Sequence, residues 1–282
     1  MTAPEPSPHT LRRIEGIVDL ALRESGALGV LPTPLEALRE PAGVRSLEPI
    51  SGLSRTSGGR RRGVLGALWF EERVLFLEDG QSAPRRRFTE AHELIHALCP
   101  WHCAALREDT EAELFGPVAE AVEAEANAGA AMLIFQGSSF ARRAALEPCS
   151  IADAQALAAR HGASVHATLH HYVQSSARAV ALLVAGRFPR KDGSLPVWRS
   201  VESRAFKAHH GPVRGLEGGG IAPGTALRDV VECARSTGAG SASGVALAGG
   251  RMRVDALYNR HSFLVLLVPA SPARSSRAAA AA

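Results

Sequence analysis

His92-Glu93-Leu94-Ile95-His96 is the stretch that decides how the N-terminal half of this 282-residue chain folds. Two histidines one helical turn apart can hold one Zn²⁺ ion, and the glutamate beside the first can act as a general base. On an α-helix the two histidines lie about 6 Å apart along the axis and within roughly 40° around it, while Glu93 projects about 100° aside. The motif therefore predicts a buried helix that carries a zinc site. Apolar residues recur at helical spacing through the same segment, at Phe88, Ala91, Ile95 and Leu98.

A zinc peptidase needs a third protein ligand, and the sequence offers a second helix that could supply it. Residues 117–134 have a proline at the start, many alanines and apolar residues at three- and four-residue steps. Glu120, Glu123 and Asn127 share one face of this helix, whereas Glu125 points elsewhere. Glu123 is the predicted third ligand, and Asn127 one turn later is predicted to fix a ligand histidine from behind the metal shell. Spacing alone leaves the neighbouring glutamates open as alternatives.

The segments Arg87–His96 and Glu123–Ile134 together resemble the ImmA/IrrE metallo-endopeptidases in their order and separation. The resemblance covers roughly residues 10–175 and is closer to the IrrE type, a regulator of the DNA-damage response. It implies a zincin-like fold and an endopeptidase that cuts a helix-turn-helix transcriptional repressor. It also implies the roles of four residues: His92, His96 and Glu123 bind the metal, and Glu93 activates water.

Two short segments depart from the family's usual pattern. Phe135-Gln136 stands where many members have Met-Pro, which changes the exit from the second helix without touching a ligand. Cys99-Pro100-Trp101-His102-Cys103 looks like an insertion after the first motif. Its cysteines and histidine could bind a second zinc ion or form a redox switch, but two small core cysteines are the simpler interpretation.

The composition is that of a globular protein of moderate size, with 46% hydrophobic residues and a net charge of +4. The first ten residues lack the apolar core of a signal peptide, and the longest apolar runs are too short to cross a bilayer. Four unevenly spaced cysteines do not suit a disulfide framework. We therefore expect a cytoplasmic protein that does not bind membranes, while its oligomeric state stays open.

The pattern along the chain predicts an α+β protein in four parts. They are a zincin-like metallopeptidase domain at residues 1–135, a helix-turn-helix-like helical segment at 136–178, a β-rich domain at 179–268 and a disordered tail at 269–282. Leu11–Leu28 predicts an amphipathic helix packed behind the metal-binding helices. Gly66–Phe70 and Arg73–Leu77 predict a β-hairpin whose edge could hold an extended peptide.

Residues 151–172 have the helix, glycine turn and second helix of a helix-turn-helix unit. The second helix offers His166, Thr168 and His170 instead of arginine or lysine, which argues against direct DNA binding and favours packing or substrate docking. The histidines lack a carboxylate or cysteine at metal-binding spacing, so surface histidines are the simpler interpretation. One of them could still stabilise an oxyanion, and the sequence does not choose among His161, His166, His170 and His171.

From Ala179 onward, short apolar runs separated by glycine, proline and charge predict a β-rich module. By resemblance to the IrrE type it would be a GAF-like sensor domain, and a dimerisation or packing domain is an equal alternative. The runs are Val180–Val184, Val197–Val201, Val245–Leu247, Val254–Leu257 and Phe263–Val268.

The sequence thus predicts a zinc-dependent endopeptidase, with Mn²⁺ as an alternative ion in the cell. Its predicted protein substrate is a helix-turn-helix repressor, whose cleavage would derepress a stress-response or mobile-element regulon. Three other functions stay open: a DNA-binding transcriptional regulator with a vestigial peptidase core, a metal-dependent hydrolase of another substrate, and a metal-free scaffold. The metal content of the purified protein separates the last of these from the peptidase.

Overall fold

A computed structural model describes residues 6–52, 54–57, 60–63, 65–108, 117–146, 148–213, 219–247 and 250–270. The chain forms two units: residues 1–143 with 156–165, and residues 144–155 with 166–282. Each unit contains helices and a β-sheet, so the predicted α+β class is confirmed.

The first unit contains the helices and short strands that surround the predicted motif. In chain order these are α1 (Pro8–Glu24), a 3₁₀-helix (Leu35–Leu38), β1 (Ser46–Ile50), β2 (Ser54–Ser57), β3 (Arg60–Gly63), β4 (Gly66–Trp69), β5 (Val74–Glu78), α2 (Ala83–Leu98), α3 (Pro100–Glu108) and α4 (Pro117–Phe135). β5 lies between β1, to which it is parallel, and β4, to which it is antiparallel. β2 and β3 form a separate antiparallel pair. The predicted hairpin over residues 66–77 is therefore confirmed.

α1 is the predicted amphipathic helix, and it packs against α4. Ile14, Val18 and Leu22 are buried along one face, as their spacing predicted. The helix ends at Glu24, earlier than the predicted Leu28. It stops there because the next residue caps the last turn and the glycine after it adopts a φ of 70°, which a helix cannot continue.

α2 and α4 are in close contact, and α2 also packs on β4 and β5. Gly129 of α4 lies directly against Ile95 of α2. A Cβ atom at Gly129 would come within 2.8–2.9 Å of three side-chain carbons of Ile95. The absence of a side chain at this one position therefore sets how closely the two helices approach.

Three further helices follow along the chain: α5 (Ser138–Leu146), α6 (Ile151–His161) and α7 (Val165–Ser175). Gly162 between α6 and α7 has a φ of 62°, the left-handed conformation that glycine adopts without strain. The predicted helix, glycine turn and second helix are therefore confirmed as secondary structure. Thr168, a residue considered above for DNA contact, is completely buried.

The second unit contains a five-stranded antiparallel sheet in the order β7-β6-β10-β9-β8. The helix α9 covers β8 and β9 with its buried face. The β-rich character predicted from residue 179 onward is confirmed. The elements are β6 (Ala181–Gly186), β7 (Val197–Glu202), α8 (Arg204–His210), α9 (Ala226–Thr237), β8 (Ala239–Leu247), β9 (Gly250–Tyr258) and β10 (Ser262–Pro269).

Three features of this unit were not predicted, and the short helix α8 (Arg204–His210) is one of them. α9 was missed although Leu227, Val230, Val231 and Ala234 are buried at helical spacing, a pattern that was readable in the sequence. β8 begins at Ala239, well before the predicted run at Val245. The sequence did not predict this early start, because the first half of the strand consists of small residues with no apolar alternation. The disordered tail was predicted at residues 269–282, but Pro269 belongs to β10 and pairs with Met252 of β9. Residues 271–282 lie outside the described residues.

Within the described ranges, none of the helices combines the length and the apolar character that a membrane crossing requires.

Candidate metal centre

α2 carries the predicted motif on its buried side. The helix begins after Ser82 and has a proline in its first turn, where no N–H donor is required. Along it, Glu93 and His96 are buried and His92 is half-buried. Cys99 leaves the helical conformation, with a ψ of 100°, and ends the helix one turn after the motif.

α4 brings one carboxylate to the two imidazoles. Oε2 of Glu123 lies 3.3 Å from Nε2 of His92, and the same nitrogen lies 3.1 Å from Nε2 of His96. One donor atom from each of the three residues lies within 4.8 Å of the other two. Among the described residues, this is the group of histidine, cysteine and acidic side chains with the spacing of a metal site, and it includes neither Glu120 nor Glu125.

These donors fit a divalent cation. A tetrahedral Zn²⁺ ion with ligands at about 2.0–2.1 Å holds any two donor atoms about 3.3 Å apart. The two separations around His92, 3.1 and 3.3 Å, are close to this value. Imidazole nitrogen and carboxylate oxygen are also the donor types that zinc accepts in catalytic sites with three protein ligands.

The two imidazoles differ in their electrostatic surroundings. Burial alone would lower the pKa of His92, but its hydrogen bond to Glu123 and the charge of Glu93 together raise it. Asn127, predicted to support a ligand histidine, also hydrogen-bonds to His92. Burial, together with the charges of His92 and His102, lowers the pKa of His96 to about 3. His96 is therefore neutral at physiological pH and can offer a lone pair.

Glu93 lies between the metal donors and the strand β4. Burial raises its pKa from 4.5 to about 7, against the lowering effect of His92 and with a contribution from Glu123. A Cβ atom at Gly66 of β4 would lie 3.0 Å from Oε1 of Glu93 and 2.5 Å from Cγ2 of Thr89. The carboxyl group therefore occupies a space that exists because residue 66 has no side chain.

A second set of polar side chains stands behind His96 and was not predicted as a group. Nδ1 of His102 lies 3.1 Å from Nδ1 of His96, and Nε2 of His102 lies 3.1 Å from Oε2 of Glu125. Trp101 donates its indole N–H to the same carboxylate oxygen at 2.8 Å. Glu125 thus lies away from the donors around Glu123, as helix geometry predicted, whereas His102 was considered only as a ligand of a second metal.

Residues 53–172 match the peptidase M78 family, which is described as the IrrE N-terminal-like domain. This part of the chain is similar to IrrE N-terminal-like domains. The match includes both motifs, so the recognition of the ImmA/IrrE family from those motifs is confirmed. A solved structure named Mycobacterium tuberculosis transcriptional regulator is similar over 91% of this chain and 75% of its own length, with a TM-score of 0.55 and 16% sequence identity. At that identity the likeness shows the fold alone. A comparison with curated proteins gives no match.

The insertion-like segment of the matched region contains two free cysteines. Cys99 is completely buried, and burial raises the pKa of its thiol to about 12. Such a thiol carries almost no thiolate at neutral pH, which is the form that binds metal or reacts with oxidants. Cys103 is also a free thiol. The core interpretation of Cys99 is therefore the better supported one.

His161, one of the candidates for oxyanion stabilisation, has a structural environment in the matched region. It is buried between Phe135 and Phe140, with ring centroids 5.5 and 5.3 Å from its own. Its Nδ1–H donates to the carbonyl of Ile134 at 3.1 Å. These contacts hold the end of α4 in place. His166, His170 and His171 belong to the other unit.

Gln136, the departure from the Met-Pro pattern, is also structural. Its residue has a φ of 52°, and its side chain is buried beneath the loop that follows α1. The side-chain amide donates to the carbonyls of Ala27 and Val30 and accepts from the N–H of Gly29 at 2.7 Å. It also donates to the hydroxyl of Thr33 at 3.1 Å. Where many family members have proline after α4, this chain thus has a glutamine whose side chain forms hydrogen bonds to residues 27–33.

Proposed function

We propose that this chain is a zinc-dependent endopeptidase that cleaves a helix-turn-helix transcriptional repressor. The observation that carries the proposal is the convergence of two Nε2 atoms and one carboxylate oxygen beside the buried Glu93. In the proposed site His92, His96 and Glu123 hold the metal, and Asn127 supports His92. Mn²⁺ is the alternative ion, although the same donors would bind it with lower intrinsic affinity than Zn²⁺.

The residues of the chain divide the chemical work between them. A divalent ion at these donors would make water more acidic and polarise a carbonyl group. Glu93 accepts a proton from the attacking water at a carboxylate oxygen and returns it to the leaving amine nitrogen. A carboxyl pKa of about 7 suits both directions of transfer near neutral pH. The buried position of Glu93 also limits the water that competes for its proton.

The choice of substrate rests on the family and not on a contact within this chain. Repressor cleavage is the activity that the ImmA/IrrE resemblance implies, and it would relieve repression of a stress-response or mobile-element regulon. The β4 strand lies at the edge of its sheet among the described strands, next to Glu93. An extended peptide could add to that edge by backbone hydrogen bonds.

The domain boundaries predicted from the sequence belong to this proposal. Residues 1–135 supply the peptidase, 136–178 a helical segment, and 179–268 a GAF-like sensor that controls activity. A five-stranded antiparallel sheet with α9 against it is compatible with a sensor, as it is with a dimerisation domain. A thermal-shift screen of small molecules on the full chain, read from the fluorescence of the exposed Trp198, would identify a ligand of this part.

A second candidate function is a DNA-binding regulator with a vestigial peptidase core. The α6-Gly162-α7 segment and the name of the similar solved structure favour it. The buried Thr168 and the few basic residues of α7 argue against it. Fluorescence anisotropy with duplex DNA separates the two: this candidate requires salt-dependent, sequence-specific binding that persists in His92→Ala.

The peptidase proposal is tested with purified full-length chain, its metal measured by elemental analysis. The chain is incubated with Zn²⁺ or Mn²⁺ and individually purified helix-turn-helix regulators from the same organism, and new termini are identified by mass spectrometry. We expect cleavage at a defined bond, abolished by the isosteric Glu93→Gln. Glu123→Gln, which changes a proposed metal ligand, should also lose activity. Glu120 is an exposed residue of the same helix, so Glu120→Gln is the matched control and keeps full activity. Identical product patterns from wild type and Glu93→Gln would overturn the proposal.

A further inference from the structure

Three elements contribute to one continuous line of polar contacts that ends at the metal donors. His96 of α2 contacts His102 of α3 through their Nδ1 atoms at 3.1 Å. His102 then contacts Glu125 of α4 at 3.1 Å, and Trp101 of α3 donates to the same Glu125 oxygen. His102 is completely buried and Glu125 exposes only 15% of its side chain, so water competes little for these contacts.

The order of protons along this line follows from its carboxylate end. An ionised carboxylate only accepts, so the Nε2 of His102 must carry a hydrogen and donate it to Glu125. In a neutral imidazole the other nitrogen then has a lone pair, so the Nδ1 of His102 accepts. The Nδ1 of His96 must therefore be the donor in the 3.1 Å contact between the two rings.

The consequence reaches the metal site. When the hydrogen of a neutral His96 sits on Nδ1, its Nε2 carries the lone pair. That Nε2 is the atom that lies 3.1 Å from Nε2 of His92, among the candidate metal donors. If the carboxylate were absent, the line could reverse, and the Nε2 of His96 would carry a hydrogen that must move to Nδ1 before a cation binds.

We propose that Glu125 and His102 are positioning residues that fix the tautomer and the ring orientation of His96, so that its Nε2 is directed unprotonated at the metal. This inference rests on the proposed metal site. A second contact on a ligand histidine typically changes metal affinity by 10–100-fold when it is removed. Here the second contact is another histidine, with a carboxylate one step further away.

Trp101 has a separate part in the same arrangement. Its indole N–H can only donate, so whichever atom of residue 125 faces it must be an acceptor. The guanidinium of Arg13 lies over the Trp101 ring at 4.1 Å from its centroid and holds the ring against α1. The insertion-like segment Cys99–Cys103 therefore has an assigned use, because it supplies both Trp101 and His102.

The indole makes Glu125→Gln a conservative variant with a clear expectation. A glutamine oxygen can still accept from both Trp101 and His102, because the two donors share one carboxylate oxygen in the structure. Glu125→Gln should therefore keep the tautomer of His96. Glu125→Leu removes the acceptor, and His102→Phe removes the partner ring while keeping a buried aromatic shape.

The first measurement is the affinity of the purified full chain for Zn²⁺, by competition with a chromogenic chelator. We expect affinity to fall by roughly 10–100-fold in Glu125→Leu and His102→Phe, and by much less in Glu125→Gln. Glu120→Gln serves as the matched exposed control on the same helix. Far-UV circular dichroism and thermal unfolding confirm that each variant is folded before its affinity is compared.

The second measurement reads the tautomer directly in metal-free protein. ¹⁵N chemical shifts of imidazole-labelled chain distinguish Nδ1–H from Nε2–H forms, and His96→Gln assigns the resonance. We expect the Nδ1–H form in wild type and Glu125→Gln, and a shift toward Nε2–H in Glu125→Leu, which a purely structural contact would not cause. A wild type that binds zinc but has His96 as Nε2–H, or unchanged affinity in both disruptive variants, would overturn the inference. A wild type that binds no zinc would overturn the proposed function instead, and the ¹⁵N spectrum would still decide the tautomer.

Discussion

Replacing Gly129 with alanine tests whether the close contact between α2 and α4 is required by the structure. Helix propensity alone favours alanine over glycine by up to about 1 kcal/mol, so the substitution would stabilise an unobstructed helix. At residue 129 the new methyl group would lie 2.8–2.9 Å from three carbons of Ile95. That is at least about 0.6 Å short of an ordinary carbon–carbon contact, so one helix must move or a side chain must leave its rotamer.

The two effects have opposite signs, and the steric one is the larger. Overpacking a well-packed interior costs about 1–3 kcal/mol. The upper part of this range applies because Ile95 is fully buried and β-branched, which leaves it few alternative rotamers. After the helix-propensity gain, we expect Gly129→Ala to reduce the free energy of unfolding by about 1–2 kcal/mol. Zinc affinity should fall as well, because α4 carries Glu123 and α2 carries the two histidines.

A double-mutant cycle with Ile95→Ala isolates this contact. Ile95→Ala alone should cost about 2–5 kcal/mol, since it removes a fully buried side chain. In that background the added methyl group has space, so Gly129→Ala should become neutral or stabilising. We therefore expect a coupling energy of about 2 kcal/mol between the two sites.

Urea unfolding of metal-free protein provides the measurement. In a Trp198→Phe background the fluorescence comes from Trp69 and Trp101, which both belong to the first unit. Gly16→Ala is the matched control, because Gly16 is inside α1 and a methyl group added there would meet no atom of another element within 4 Å. It should raise stability by about 0.5–1 kcal/mol. If Gly129→Ala raises stability as Gly16→Ala does, the steric reasoning is wrong.

Three further predictions concern the same region. Gly66→Ala should lower kcat for peptide cleavage at least about tenfold with zinc affinity retained, because the methyl group displaces Glu93; unchanged kcat would contradict this. Burial raises the pKa of Glu93 in the folded, metal-free chain, so stability from this group is complete below pH 4.5 and is lost as pH rises through 7. Between pH 5 and 8 the free energy of unfolding of the wild type should therefore fall by up to about 3 kcal/mol more than that of Glu93→Gln. The same pH dependence of this free energy in both proteins would refute the prediction. Gln136→Leu should cost about 2 kcal/mol in urea unfolding, since it removes four side-chain hydrogen bonds to residues 27–33, whereas an unchanged midpoint would show that water replaces the amide.

Local periodicity accounts for what could be predicted from the sequence. The apolar residues around His92 and Glu123 recur at spacings that only a helix places on one face. The two short apolar runs within residues 66–77 have the length and the separation of a hairpin. β8 could not be recognised in full, because its strand pairing depends on partners in β9 and not on apolar residues of its own. α9 differs, since the helical spacing of its buried apolar residues is present in the sequence.

The candidate site was predictable only as far as contacts within one helix extend. The two histidines follow from helix geometry, but the choice of Glu123 over Glu120 depends on how α4 is rotated against α2. The spacing of residues along α4 does not determine that rotation. The family resemblance was the reason to choose Glu123. The contact between His102 and Glu125 was beyond reach for the same reason, because it joins two helices through their tertiary packing.

The region that matches the family model is smaller than the folded unit that buries its apolar residues. α1 precedes the matched residues 53–172, yet its aliphatic face covers α4 and Arg13 covers the indole of Trp101. A fragment that starts at residue 53 would expose this side of α4 to water. Insolubility of such a fragment would then report a missing hydrophobic partner, and it should not be taken as a defect of the peptidase core.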